Sequence, residues 1–313
     1  MNILKTLSKK YGFEERKNVR IMSKSVKNEN IPIAFRIATV NEEGKVADSM
    51  ADPKVCVALD GTTVEEMTDE AARANLAGAD MVEVRFDRLY LVRPDPTISD
   101  EEEGEKPEMP PENDWETMNM EDVDVEASIA ALKEGLPLPV IFTVRPVSEG
   151  GFFPGVESER IEILQKAIDS KVSWIDLELT IEGSTRKSLQ DAASANGCQI
   201  IASSHDINGT PDAESIVSLV RENQDAGDIV KFCGTANNHD DALQIIEAAT
   251  ELTGEGLSHS LMAVNGGGDW TRLHAPMLDQ SLVYATMRNE FRISDKGLVN
   301  VRDLRDAWSL LEY

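Results

Sequence analysis

The sequence predicts an α/β fold, a closed (β/α)8 or TIM barrel. From Val55 onward, short apolar segments of strand length alternate with longer segments that have helical periodicity. Eight such strand segments fall within about 260 residues, the usual size of this barrel. The alternative is an open doubly wound sheet, but no G-x-G-x-x-G motif follows the first strand.

The repeating units lie in residues 51–313. The predicted strands are 55–59, 81–87, 139–145, 173–179, 199–204, 228–233, 259–264 and 281–285. The first predicted helix has Val64, Met67, Ala71 and Leu76 on its apolar face and is capped by Gly78. The later predicted helices are 125–135, 157–170, 184–196, 212–225, 239–252 and 300–312. Helix starts carry recognisable signals, such as the Thr-Pro-Asp sequence at 210–212.

Two segments differ from the repeating pattern. Residues 1–50 carry a net charge of +4, and we predict an N-terminal extension that is either disordered or contains a hairpin-like turn at 41–44. Residues 93–124 contain five prolines and the acidic run 100–103. Such a segment buries too little apolar surface to fold by itself, so we predict a solvated surface insertion rather than an acidic binding arm.

The chain is strongly acidic, with 57 Asp and Glu against 31 Lys and Arg and a net charge of −26. This charge argues against a nucleic-acid partner, because phosphates are repelled. It suits a cytoplasm rich in salt, where screening weakens self-repulsion. We therefore predict a halophilic protein; an ordinary acidic enzyme is the alternative.

The three cysteines, Cys56, Cys198 and Cys233, form no C-x-x-C pair, and we expect them to be reduced and buried. No apolar run approaches the ~18 residues of a membrane helix. We expect a soluble, cytoplasmic protein without a membrane partner.

Two neighbouring predicted strands each provide one ionisable side chain. Lys231 lies in the apolar run 228–233, and His205 follows the run 200–204. An amine is costly to bury in its charged form, so a lysine here can act as a nucleophile towards a ketone or aldehyde. An imidazole nearby can transfer protons in both directions. The alternatives are an ion-paired interior lysine and a histidine in a polar loop.

Further charged residues follow other strands. Arg145 ends the third predicted strand and can bind a hydroxyl or carboxylate, and Glu149 can orient a histidine. Alternation places Glu83, Arg85 and Asp87 on one face of the second predicted strand.

The seventh predicted strand is followed by the glycine run 266–268. This run is either a phosphate cradle or a mobile lid, and Arg272 after it is a candidate anion-binding residue. His239 and His259 are predicted to be structural or solvated; His274 is also a candidate to line the pocket.

Four segments in order, EVRFDRL (83–89), FTVRPVSEGG (142–151), SSHDINGTP (203–211) and DIVKF (228–232), resemble the type I 3-dehydroquinate dehydratases, and the likeness is close to the acidic haloarchaeal branch. The resemblance extends from Val55 to Tyr313. It implies a lyase of the shikimate pathway that converts 3-dehydroquinate to 3-dehydroshikimate through a lysine Schiff base. It also implies that no cofactor or metal takes part, and it suggests a homodimer.

The resemblance assigns roles to the residues singled out above. It implies that Lys231 forms the imine, that His205 is the general base and acid, and that Glu149 orients His205. Substrate-binding roles are implied for the remaining matched positions, Glu83, Arg85, Arg145, Arg272 and Ser294.

The chain departs from the family pattern after the eighth strand. Where many members have a Ser…Pro-Gly-Gln segment, this chain has Ser294 followed by Asp-Lys-Gly and Leu298. Leucine cannot replace the hydrogen bonds of glutamine. Two other functions are considered: a different imine-forming barrel such as a class I aldolase or transaldolase, and a noncatalytic barrel that binds an anionic metabolite through Arg85, Arg145 and Arg272.

Overall fold

The computed structural model describes residues 52–95, 109–288, 293–294 and 296–313. The predictions for residues 1–50 and for the acidic run 100–103 lie outside these ranges. Eight parallel strands form one sheet, which confirms the predicted barrel. The strands are β1 Lys54–Ala58, β2 Met81–Arg85, β3 Val140–Thr143, β4 Trp174–Glu178, β5 Gln199–Asp206, β6 Ile229–Ala236, β7 His259–Asn265 and β8 Leu282–Ala285.

The sheet closes nearly completely into a barrel. Each strand from β1 to β7 pairs with the next in sequence, and β1 also pairs in parallel with β8. Strands β7 and β8 are joined by fewer hydrogen bonds. Ser281 N donates to His259 O over 2.8 Å, and Ser260 Oγ donates to Leu282 O over 2.7 Å. Because no long strand edge stays open, the inward-facing side chains share one enclosed interior.

A helix follows each strand, and seven of these eight helices were predicted. The helices are α1 Val64–Ala77, α2 Val125–Gly135, α3 Glu157–Asp169, α4 Gly183–Asn196, α5 Ala213–Asn223, α6 His239–Leu252, α7 Gly268–Leu273 and α8 Val301–Leu310. Their ends follow local capping chemistry: Asp212 accepts a hydrogen bond from Ser215 N, and Gly78 ends α1 at φ 94°. Leu76 was wrongly placed on the buried face of α1, since it is 83% exposed. None of the described helices is long and apolar enough to cross a bilayer.

Several predicted boundaries are wrong. Strand β2 ends at Arg85, and residues Phe86–Tyr90 form a 3-10 helix, so Asp87 does not continue the strand. Strand β6 continues to Ala236, which places Lys231 near its beginning. The glycine run after β7 is the start of helix α7, which the sequence did not predict. Gly267 precedes this helix at φ 83°, a left-handed conformation that favours glycine.

The barrel interior has an apolar layer below a polar one. Met81, Trp174, Ile201 and Ile229 belong to a buried apolar cluster to which all eight strands contribute. Two residues further along these four strands come side chains that are all buried and polar: Glu83, Asp176, Ser203 and Lys231. Successive inward positions in a strand are two residues apart, so the polar layer lies nearer the carboxyl ends of the strands. Barrels of this fold hold their active sites at that end.

The described part of the predicted insertion, residues 93–95 and 109–124, lies at the protein surface with no buried residue. It contacts the barrel through specific hydrogen bonds. Glu112 accepts from Arg88, with Nη2 to Oε1 at 2.8 Å, and Met118 N donates to Tyr90 O over 2.7 Å. These contacts hold the segment beside the carboxyl ends of β1 and β2.

Candidate active site

A cavity of about 380 Å³ opens at the carboxyl ends of the strands. Seven of the eight residues predicted to form the site line it: Glu83, Arg85, Arg145, Glu149, His205, Lys231 and Arg272. The eighth, Ser294, does not line the cavity in the described part of the chain. The seven residues come from distant parts of the sequence, so the barrel topology brings them together.

Lys231 is buried in the polar layer, with only 3% of its surface exposed. Its Nζ atom lies 3.4 Å from Asp176 Oδ2, 3.5 Å from Glu83 Oε1 and 3.1 Å from the hydroxyl of Tyr284. It also lies 4.3 Å from the centre of the Tyr284 ring. The two ion-pair distances are long, so the amine is surrounded by acceptors without a close bidentate partner. A group held in this way has room to react with a small molecule in the cavity.

His205 and Glu149 form a hydrogen-bonded pair at the wall of the cavity. Glu149 Oε2 accepts from His205 Nδ1 over 2.9 Å and from the His205 backbone N over 3.2 Å. Thr180 Oγ1 donates to the other carboxylate oxygen over 2.6 Å. Burial lowers the pKa of His205 well below its ordinary value, and the charges of Arg145, Lys231 and Arg85 lower it further. The imidazole is therefore neutral at pH 7, with Nδ1–H on Glu149 and Nε2 as the basic atom.

Arg145 lies between the histidine and the buried carboxylates. Its Nη1 hydrogen-bonds His205 Nε2, and its Nη2 donates to Asp176 Oδ2 over 2.9 Å and lies 3.5 Å from Glu83 Oε1. Its Nε lies 3.3 Å from Glu178 Oε1. Burial disfavours the guanidinium charge, but these carboxylates raise the pKa of Arg145. The residue therefore stays charged and fixes the geometry of the polar layer.

Asp176 and Glu178, both fully buried on β4, were missed from the sequence as members of this layer. Their segment, Trp-Ile-Asp-Leu-Glu, has the same alternation of charged and apolar residues that identified Glu83 and Arg85 on β2. That alternation was the available signal. Burial and the neighbouring charge of Asp176 raise the pKa of Glu178 to about 7, against the opposing effects of Arg145 and Arg160.

The pKa of Glu83 is shifted in the opposite direction to that of Glu178. Burial alone raises the pKa of a carboxyl group, but Lys231, Arg145 and Arg85 lower the pKa of Glu83 to about 2. Thr143 Oγ1 also donates to Glu83 Oε1 over 2.8 Å. Glu83 therefore carries the negative charge that balances the cations of the polar layer.

Two arginines that line the cavity have different surroundings. Arg85 forms a bidentate ion pair with Asp87, at 2.9 Å from Nε and 2.7 Å from Nη2. Arg272 instead donates to backbone carbonyls, including Tyr284 O at 2.9 Å and Ala263 O at 2.8 Å. It makes no ion pair of 4 Å or less within the described residues. Its positive charge is therefore available to an anionic ligand.

Comparison with known proteins identifies the family of this chain. The model of the type I 3-dehydroquinase family matches residues 55–313. The chain belongs to this family. It is similar to the 3-dehydroquinate dehydratases of Alkaliphilus oremlandii and Methanosarcina barkeri. It is 28% identical to the first over 260 residues, which cover 81% of this chain and 90% of that protein. It is 28% identical to the second over 252 residues, which cover 80% and 92%.

Solved structures agree on the fold. The type I 3-dehydroquinate dehydratase of Clostridium difficile, solved with covalently modified comenic acid, superposes with a TM-score of 0.68 at 23% identity over 84% of this chain and 94% of that one. The enzyme of Geobacillus kaustophilus superposes with a TM-score of 0.67 at 22% identity over 84% and 92%. These structures share the barrel with this member of the type I 3-dehydroquinase family.

The loop after β8 is the part of this 3-dehydroquinase family member that differs from the expected pattern. Ser294 Oγ accepts from Leu298 N over 2.9 Å, so the serine closes its own loop. Lys296 and Leu298 line the cavity instead. This lysine carried no signal in the sequence, because the family pattern marks the positions of serine and glutamine instead.

The other histidines and two of the three cysteines do not line the cavity. His274 contacts Tyr313 and does not line the cavity, so the prediction that placed it there is wrong. His239 stacks on Trp270, and His259 is buried beside Leu257 O. The three cysteines are unpaired, and Cys233 lines the cavity. Among the described residues, no group of His, Cys, Asp and Glu side chains is arranged to hold a metal ion.

Proposed function

We propose that this protein dehydrates 3-dehydroquinate to 3-dehydroshikimate through an imine on Lys231. Family membership supports the dehydration, which is a step of the shikimate pathway for aromatic amino acids. The observation that carries the mechanism is the buried Lys231 amine in the same cavity as the hydrogen-bonded His205–Glu149 pair. A nucleophilic amine and a neutral base are the two groups that such an elimination needs.

The reaction begins when the Lys231 amine attacks the C3 ketone and water leaves, which gives an iminium. The iminium withdraws electrons and acidifies the C2–H bond. His205 Nε2 takes the C2 proton, and the electrons of that bond form an enamine. The enamine expels the C1 hydroxyl, which leaves as water after it receives the proton from His205. Hydrolysis of the conjugated iminium then releases the product and restores the amine.

The pKa of His205 supports its two roles. A neutral imidazole accepts the C2 proton, and the lowered pKa makes the resulting imidazolium a strong acid towards the departing hydroxyl. Glu149 holds the Nδ1–H and stabilises the imidazolium between the two proton transfers. In this structure His205 Nε2 accepts a hydrogen bond from Arg145. The Arg145 side chain therefore has to turn from the imidazole to the substrate hydroxyls when Nε2 acts as the base.

The substrate is held by the charged residues around Lys231. In this proposal Glu83, Arg85 and Arg145 bind the ring hydroxyls and position the imine, and Arg272 binds the carboxylate. Ser294 shapes the loop over the cavity. The ion pairs and carbonyl contacts described above support these assignments, because they hold Glu83, Arg85 and Arg272 in place before the substrate arrives.

A turnover assay separates the three candidate functions. The purified protein is mixed with 3-dehydroquinate, and the products are followed by ultraviolet absorbance of the conjugated enone and by NMR. Dehydration gives 3-dehydroshikimate and water, whereas an aldolase releases two carbon fragments. A noncatalytic barrel returns the ligand unchanged. Recovery of unchanged 3-dehydroquinate from folded wild-type protein contradicts the proposal.

We also propose a halophilic, cytoplasmic homodimer related to the haloarchaeal members of the family, with a small-molecule substrate and no nucleic-acid or membrane partner. The net charge of −26 supports the halophilic assignment and the exclusion of nucleic acid. In this proposal residues 51–313 form the catalytic domain, and residues 1–50 are an extension. Light scattering of the purified protein tests the dimer; a monomeric mass at assay concentration contradicts it.

A further inference from the structure

Backbone contacts hold residues 296–297, in the loop after β8, beside Arg272 and the end of β7. Asn265 N, at the end of β7, donates to Lys296 O over 2.9 Å. Arg272 Nη1 lies 3.4 Å from Gly297 O and donates to it. Gly297 has φ 69°, and a Cβ there would lie 2.5 Å from Asn265 O. Only glycine permits this close approach, so the backbone beside Lys296 has a defined position.

Among the described residues 293–294 and 296–298 of this loop, two side chains line the cavity. Lys296 and Leu298 are two residues apart and both line it, with Lys296 exposed and Leu298 half-buried. Ser294 instead closes the loop from behind by accepting the Leu298 N–H. The loop thus provides an ammonium group and an apolar group, in place of the hydroxyl and amide that the family pattern led us to expect.

On the β7–β8 side of the cavity, Arg272 carries a positive charge that has no close carboxylate among the described residues. The hydrogen bonds of Arg272 go to carbonyl oxygens within the described residues, and Asp269 influences it only from beyond ion-pair distance. On the other side, Arg145 and Lys231 are already near Glu83 and Asp176. An anionic group therefore gains most at the end where Arg272 and Lys296 lie.

We propose that Lys296 binds the substrate carboxylate together with Arg272. This inference rests on the proposed dehydration of 3-dehydroquinate and adds one specificity-determining residue to it. An ammonium group on a four-carbon stem reaches a carboxylate from a range of loop positions. A cation in the loop also compensates for Leu298, which offers the substrate no hydrogen bond. Lys296 also acts on a carboxylate: the pKa of Glu112 is lowered first by the hydrogen bond of Arg88 and in smaller part by the charge of Lys296.

The test is steady-state kinetics of Lys296→Gln, Lys296→Arg and the control Lys187→Gln. Lys187 lies on α4 in an exposed pair with Asp191, so its substitution removes the same charge far from the cavity. We expect kcat/KM for 3-dehydroquinate to fall about 10- to 100-fold in Lys296→Gln, mainly through KM, as for the loss of one charge-assisted hydrogen bond. Lys296→Arg should retain most of the activity, and the control should match the wild type.

A second substrate distinguishes carboxylate binding by Lys296 from a structural role of this residue. The same proteins are assayed with the carboxamide analogue of 3-dehydroquinate, which carries no negative charge. We expect Lys296→Gln and wild type to have equal kcat/KM on this analogue. An equal loss on both substrates, or an unchanged KM for 3-dehydroquinate, overturns the Lys296 inference alone. A wild-type protein that dehydrates neither substrate overturns the proposed function, and the inference with it.

Discussion

Replacement of Glu149 by glutamine isolates the charge of the group that orients His205. The glutamine carbonyl can still accept the Nδ1–H now held at 2.9 Å by Glu149 Oε2, so the tautomer is preserved. The negative charge that stabilises the imidazolium is lost. A hydrogen bond to a charged group contributes about 1 kcal/mol more than a neutral one, so we expect kcat at pH 7 to fall about 5- to 10-fold.

The pH dependence of this variant gives a sharper test. Burial raises the pKa of the Glu149 carboxyl, although Thr180 and Arg145 oppose the shift. As the pH falls, the wild type therefore protonates Glu149 earlier than an ordinary glutamate would. The variant resembles that protonated form at every pH. We expect the ratio of the two kcat values to be largest near neutrality and to approach one at acid pH.

The measurement is kcat between pH 4.5 and pH 8 for wild type, Glu149→Gln and the control Glu247→Gln, with folding checked by circular dichroism at each pH. Glu247 is an exposed residue of α6 and provides the same chemical change away from the cavity. The reasoning is refuted if Glu149→Gln has wild-type kcat at pH 7, or if the ratio stays constant with pH. A loss that the control shares is due to surface charge.

Three further predictions concern catalysis, acid stability and salt. His205→Ala should retain imine formation on Lys231 but turn over about 10²–10⁴-fold more slowly; wild-type turnover removes His205 from its role. The pKa of Glu83, about 2 in the folded chain against 4.5, gives a stabilisation that is complete above pH 4.5 and is lost as pH falls towards 2. By linkage, about 2 kcal/mol of this stabilisation is lost by pH 3. Between pH 6 and pH 3 the free energy of unfolding in urea should therefore fall less for Glu83→Gln than for the wild type. Equal falls refute the ion-pair assignment. Finally, the unfolding midpoint should rise with added KCl, and full stability in salt-free buffer contradicts the halophilic assignment.

The barrel was accessible from sequence because its signals are local. Apolar strand segments, helix periodicity and caps such as Asp212 each depend on neighbouring residues, and they recur with the correct spacing. The wrong predictions fall at positions where tertiary contacts determine the local structure. Asp87 leaves the strand because its carboxylate accepts from Arg145 N and Phe152 N, both far along the chain. Leu76 is apolar, yet the turn of α1 puts it in solvent.

The sequence predicts most residues of the site, but it predicts the ion pairs between them less well. Lys231 and His205 stand out as ionisable groups in or beside apolar runs, so single strands reveal them. Glu178 was overlooked because its partners, Arg145 and Arg160, come from other elements and only the closed barrel brings them together. Lys296 is one more charged residue in the sequence of an acidic chain. Its position in the cavity depends on the close contact of Gly297 with Asn265.

The most direct test of the Lys231 imine is reductive trapping. The protein is incubated with 3-dehydroquinate and borohydride, digested, and mapped by mass spectrometry, with Lys231→Met as the control. We predict one adduct on Lys231, of the mass of the reduced imine with substrate or product, and none in the control. Folded wild-type protein that turns over substrate and leaves Lys231 unmodified would contradict the mechanism.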